Sequence, residues 1–261
     1  MYENHRLTIQ HLSQHFGTDP NVLVLIIIGS VARGDAGEES DVDFYLVVSD
    51  EAYSQGKVNN NLSLELTDLV VPPCPQANGK KITTQYLEAV AKHGTEPYRY
   101  SFADAHIAFS RQSSVKEMVQ QCSIYPEHQR LDKMMSFVAQ IPVHFSFLEF
   151  GHYSQTQYVL YETAVKIVLF AGRLILAHNR MLYPGRKGFM RELDKASDKP
   201  ADMLVLANNL LTTPTIESAQ AFIDPVLRYA DWPQPPEGIG PRFMYDSVDQ
   251  WERGWCPLED C

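Results

Sequence analysis

The strongest constraint in this chain lies between residues 22 and 48. An apolar run, Val22 to Ile28, stops at Gly29-Ser30, and after VARGDAGEES the triplet Asp41-Val42-Asp43 opens a second apolar run, Phe44 to Val48. Short apolar runs bounded by turn residues read as buried strands. Residues two apart in a strand share a face, so Asp41 and Asp43 present two carboxylates side by side. Adjacent carboxylates repel, and a divalent cation is the usual reason to hold them together. Mg²⁺ takes few protein oxygens and completes its shell with water and substrate phosphates. Gly29 lets backbone N–H groups approach an anion closely, and Ser30 adds a hydroxyl at the expected start of a helix. These parts suit a Mg–nucleoside triphosphate.

The three stretches IIIGS, VARGDAGEES and DVDFYLVV together resemble the signature of the nucleotidyltransferase superfamily with the DNA polymerase β-like fold. Ala32-Arg33-Gly34 is similar to a turn common in its small bacterial members. The resemblance covers roughly residues 20–71. It implies an α+β fold, a small mixed sheet with flanking helices, and a mechanism using two Mg²⁺ ions with ATP as co-substrate. On this pattern Asp41 and Asp43 are metal ligands and catalytic residues, and Gly29 and Ser30 hold the β- and γ-phosphates. Arg33 either assists them or pairs with Asp35.

The superfamily pattern also implies a third acid from a neighbouring strand. The candidate strand is Leu62 to Val71, LSLELTDLVV, which carries Glu65 and Asp68. Alternation sends these two to opposite faces, so only one can reach the metals. TDLVVP resembles the hydrophobic–Asp–Leu–Val pattern of many small members, and LELT resembles a stretch of some antibiotic-modifying ones. Asp68 is the favoured third metal ligand, with Glu65 the alternative and Asp104 and Glu162 next in line.

With 261 residues, 44% of them apolar, the chain can bury one large or two modest cores. The net charge of −10 argues against a nucleic-acid substrate, which needs clustered Lys and Arg to neutralise phosphates. It would suit a cationic small molecule such as an aminoglycoside. Cys74, Cys122, Cys256 and Cys261 show neither metal-ligand spacing nor a paired framework, which points to a reduced, cytoplasmic setting. The opening MYENHRLTIQ lacks the layout of a signal peptide. The apolar stretch Tyr158 to His178 is interrupted by Glu162, Lys166 and Arg173, which identifies a packed helix and not a membrane span.

Periodicity predicts a helix over 3–16, strands near 22–28, 41–48, 62–71 and 105–109, and a turn-rich loop over 72–80. Further helices are expected over 83–93, 113–122, 128–150, 155–180, 201–211 and 215–230, before an irregular Pro/Gly-rich tail. The resulting division is a catalytic domain over 1–115 and a helical domain over 116–261. The second is expected to bind the acceptor and close the cleft, as in the aminoglycoside and lincosamide nucleotidyltransferases that the layout resembles. Pro184-Gly185 breaks the helical pattern ahead of Arg186 and Lys187, and Lys187 is the expected triphosphate cation from this half. Glu162 is either a base for the acceptor or an i,i+4 partner of Lys166. His106, His144 and His152 read as packed or surface histidines.

The expected activity is transfer of AMP from ATP to a hydroxyl of a small molecule, without nucleic-acid or membrane partners. The alternatives are a regulatory, antitoxin-like protein acting on a protein partner, and a nucleotide-binding sensor.

Overall fold

The computed structural model describes residues 1–254, so Cys256 and Cys261 lie outside the described residues. The chain divides into two compact units, Met1–Tyr125 and a second from Pro126 onward.

The first unit is built on a five-stranded sheet. It contains α1 (Glu3–Gly17), β1 (Val22–Ile28), α2 (Gly29–Arg33), β2 (Val42–Val48), α3 (Asp50–Val58), β3 (Ser63–Leu66) and β4 (Ala77–Ile82). After these come α4 (Thr84–His93), α5 (Glu96–Ser101), β5 (His106–Ser110) and α6 (Val115–Cys122). The strand order is β3-β4-β2-β1-β5. Only β2 and β4 run parallel, and the other neighbours are antiparallel. Because β1 and β2 are central and covered on both faces, nearly every residue in them is buried. Leu25, Ile27, Phe44 and Leu46 face α1, where they meet Ile9 and Leu12. Val24, Ile26, Tyr45 and Val47 face the other way, against Leu87 and Val90 of α4 and Val115 and Val119 of α6.

Two expectations are corrected here. The strand expected over 62–71 is only Ser63–Leu66, and it lies at the sheet edge and not beside β2. The place beside β2 belongs to β4, which begins inside the stretch expected to be a loop, 72–80. Asn78-Gly79 carries turn chemistry, yet here Gly79 is a packing glycine: a Cβ on it would stand 2.2 Å from the Phe44 ring. Helix α6 packs into the first unit, which ends at Tyr125, inside the stretch 111–127 where the strand-rich half is expected to give way to helices. The cause is its apolar stripe Val115, Val119 and Cys122, which buries on α4. Cys122 donates from Sγ to the Leu87 carbonyl at 3.3 Å, and burial pushes its thiol up to about 11.

Helices α7 (Arg130–Tyr153), α8 (Gln157–His178), α9 (Phe189–Lys195), α10 (Met203–Thr212), α11 (Ile216–Leu227) and α12 (Ile239–Phe243) form the second unit. Its core gathers Phe137 and Ile141 of α7, Ile167 and Leu174 of α8, Leu210 of α10 and Phe222 of α11. The tail was expected to be irregular. It is instead helical from Ile239 through short turns to Arg253, because the buried Arg242 pairs with Asp132 and Asp246, each at 2.8 Å. Among the described residues no helix is long and apolar enough to cross a membrane.

Candidate active site

β1 delivers the chain to Gly29, which adopts φ +75°, a left-handed conformation that favours glycine. α2 starts there, with Ser30 half-exposed in its first turn. In the register of β1 and β2, Ile28 pairs with Asp43. The Asp43 carboxylate therefore packs directly on the glycine: a Cβ on Gly29 would lie 2.6 Å from Asp43 Oδ2. Asp43 faces the Tyr45 side of the sheet. Tyr45 is held above its usual range mainly by burial, and the charge of Asp43 is one of the smaller causes.

The connection from α2 to β2 is pinned by α1. The buried Asn4 donates to the Glu38 carbonyl at 2.9 Å, and the fully buried His5 donates from Nε2 to the Ser40 carbonyl at 3.0 Å. Since a carbonyl oxygen only accepts, that contact requires the Nε2–H tautomer. These bonds fix the approach to Asp41, which is half-buried like Asp43. Asp41 Oδ2 accepts from Asn78 Nδ2 at 2.7 Å.

Asn78 pairs with Asp43 on one side and with Glu65 on the other. Laterally paired residues share a face, so Asp43, Asn78 and Glu65 form one row across the sheet. Glu65 stands two strands from Asp43, about 10 Å at the usual strand spacing, and is exposed. The favoured Asp68 is exposed on a bend beyond β3. The segment after it turns toward α1: Leu69 and Val70 pack in the α1-side core, and Thr8 Oγ1 accepts from the Val71 N–H at 2.9 Å. Neither acid joins the aspartate pair. Among the described residues no three His, Cys, Asp or Glu side chains cluster as metal ligands.

Arg33 closes α2 with its Nε 3.5 Å from Asp35 Oδ2, and its guanidinium lies 4.9 Å from the Tyr100 ring centre. The strand of Asn78 also carries Lys80, which has no role in the expected site. It lies two residues beyond Asn78 on β4 and so on the same face, with Nζ 4.8 Å and 5.8 Å from the Tyr86 and Tyr98 ring centres. No sequence signal marked it, because its strand read as loop. Lys187 is exposed in the turn before α9. Glu162 pairs with Lys166 along α8. Asp104 is exposed. His106 and His152 are exposed, and His144 is buried, stacked on Phe170 and lowered to about 4 by burial.

Residues 10–75 match the family model described as polymerase beta, nucleotidyltransferase. They run from the second half of α1 to the segment after β3 and contain Gly29, Ser30, Asp41 and Asp43. The first unit is a polymerase β-like nucleotidyltransferase domain. No curated protein matches the sequence. Among solved structures, a nucleotidyltransferase-like protein from Exiguobacterium sibiricum is 12% identical, with a TM-score of 0.44 over 86% of this chain and 74% of that one. At that similarity the likeness carries no functional assignment.

Within the nucleotidyltransferase domain, two carboxylates on one face beside a left-handed glycine turn are a donor set that fits a divalent cation carrying phosphate oxygens. The outlying acids are expected to matter little. Asp68→Ala and Glu65→Ala should each keep pyrophosphate release within about threefold of the parent, since neither touches the pair. A hundredfold loss in Glu65→Ala would move the reacting centre outward along the row.

Proposed function

We propose that this domain moves a nucleoside monophosphate, AMP from ATP, to a hydroxyl of a small acceptor such as an aminoglycoside or lincosamide. The supporting observation is the contact of Gly29 with Asp43, which brings a phosphate-binding turn and a cation ligand within one strand spacing. Asp41 and Asp43 would hold Mg²⁺ through their carboxylate oxygens. The Gly29-Ser30 turn and the Ser30 hydroxyl receive the β- and γ-phosphates. When bound, the cation polarises phosphoryl oxygens and neutralises charge on departing pyrophosphate. The acceptor oxygen bonds to the α-phosphorus as the bond to pyrophosphate breaks and the hydroxyl proton passes to solvent, so the chain's main contribution is alignment of these groups. The net charge of −10 supports a neutral or cationic acceptor over a nucleic acid.

Screening pyrophosphate release from ATP, GTP, CTP and UTP against hydroxylated antibiotics tests this reading. Nucleotide retained without release under every condition would favour the sensor reading, which the Asn78 amide beside Asp41 also supports.

In the second unit, Lys187 is proposed as a triphosphate cation and the helices as the acceptor-binding part. Lys187→Ala should raise the KM for ATP about tenfold, the worth of one charge-assisted bond, with little change in the KM for the acceptor. Arg186→Ala is the neighbour control and should do less. An unchanged KM for ATP in the Lys187 variant would remove that residue from nucleotide binding.

A further inference from the structure

The strand beside the aspartate pair carries an amide where the superfamily pattern implies a third acid. We infer that this site holds a single divalent cation, between Asp41 and Asp43, and that Asn78 is a positioning residue occupying the place from which a second cation would be held. This rests on the nucleotidyl-transfer reading of the aspartate pair.

The register makes the substitution specific. β4 is parallel to β2 and directly beside it, and Asn78 is the β4 residue level with Asp43. Its side chain reaches Asp41, because Nδ2 lies 2.7 Å from Asp41 Oδ2. A carboxylate can only accept, so the NH₂ end of the amide must face it. That end presents protons to the site and takes up one lone pair of Asp41.

Two divalent ions in such sites stand about 3.5–4 Å apart and are held by carboxylates that offset their repulsion. That repulsion is four times the repulsion of unit charges at the same distance. Asn78 supplies no charge against it, and the other acid in the row, Glu65, is beyond reach. Nor can a neutral amide take the proton of an acceptor hydroxyl. What Asn78 does supply is orientation, since it holds Asp41 in one rotamer and softens its repulsion with Asp43.

The probe is Mn²⁺ with inorganic tripolyphosphate, which asks nothing of base preference. The full chain is dialysed to equilibrium against both, and the ions retained per retained tripolyphosphate are counted. The parent chain should retain one Mn²⁺ and Asn78→Asp should retain two. Asn78→Ala, which removes the amide without adding charge, should stay at one. In the presence of EDTA, Asn78→Asp should also melt below the parent, through the repulsion of three carboxylates, and recover with Mn²⁺. Two ions on the parent chain would overturn the inference while leaving the nucleotidyl-transfer reading intact. A count of one in folded Asn78→Asp, or two in Asn78→Ala, would also overturn it. Retention of neither probe by the parent would defeat the reading of the aspartate pair, and the inference with it.

Discussion

Replacing Asp41 or Asp43 with asparagine is expected to abolish nucleotidyl transfer while leaving the fold in place. Both carboxylates are half-buried on one face of β2 and its approach, and each contributes a negative charge that an amide cannot. Losing a residue that merely supports a ligand costs about 10–100-fold, so losing a ligand itself should cost about a thousandfold or more. Stability without metal should hold or rise slightly, because one of two repelling charges is gone. The Asn78 amide can still bond an asparagine at position 41 through its side-chain oxygen. Pyrophosphate release and thermal melting in EDTA are the two measurements. Near-parental release from either variant would show that the aspartate pair is not the reacting centre, and a large drop in melting temperature would show a structural role.

Gly29→Ala carries the second large effect, and it separates geometry from charge. The substitution leaves every ionisable group in place. It forces a side chain into φ +75°, at a cost of about 1–2 kcal/mol. The new Cβ would also stand 2.6 Å from Asp43 Oδ2, and 3.1 and 3.3 Å from Asp43 Cβ and Cγ. Because the whole short side chain is close, rotating its tip does not relieve the clash, and the aspartate or the turn must shift. A fall of several degrees in melting temperature is expected, from about 4–8 °C per kcal/mol in a small domain. Transfer should fall further, by about a hundredfold, since a displacement of order 1 Å is enough to spoil alignment. Gly34→Ala is the control. It shares the left-handed backbone, at φ +79°, with open space around its Cβ, so it should lose comparable stability and much less activity. Equal activity losses in the two variants would show that strain, and not contact with Asp43, governs the effect.

The strands carrying Gly29 and Asp41-Val42-Asp43 were legible because both runs are apolar throughout and bounded by turn residues. A central strand has no other way to be read, since it is covered on both faces and leaves no room for polar alternation. The long helices of the second unit were legible for a similar reason, through apolar spacing sustained over several turns. The third strand position was not legible. Ala77-Asn78-Gly79-Lys80 has the composition of a turn, and it becomes a strand only because β2 offers a parallel edge and Phe44 needs the space above Gly79. Once β4 is inserted, Glu65 moves one strand further from the aspartates, and Leu69 and Val70 carry the chain after Asp68 toward α1.

That two carboxylates share a face beside a glycine turn is written in the amino-acid order alone, because alternation and turn preference act over a few residues. What stands next to them came from packing between distant segments. Strand order is a long-range choice made by packing, and here it sets the amide of Asn78 beside Asp41.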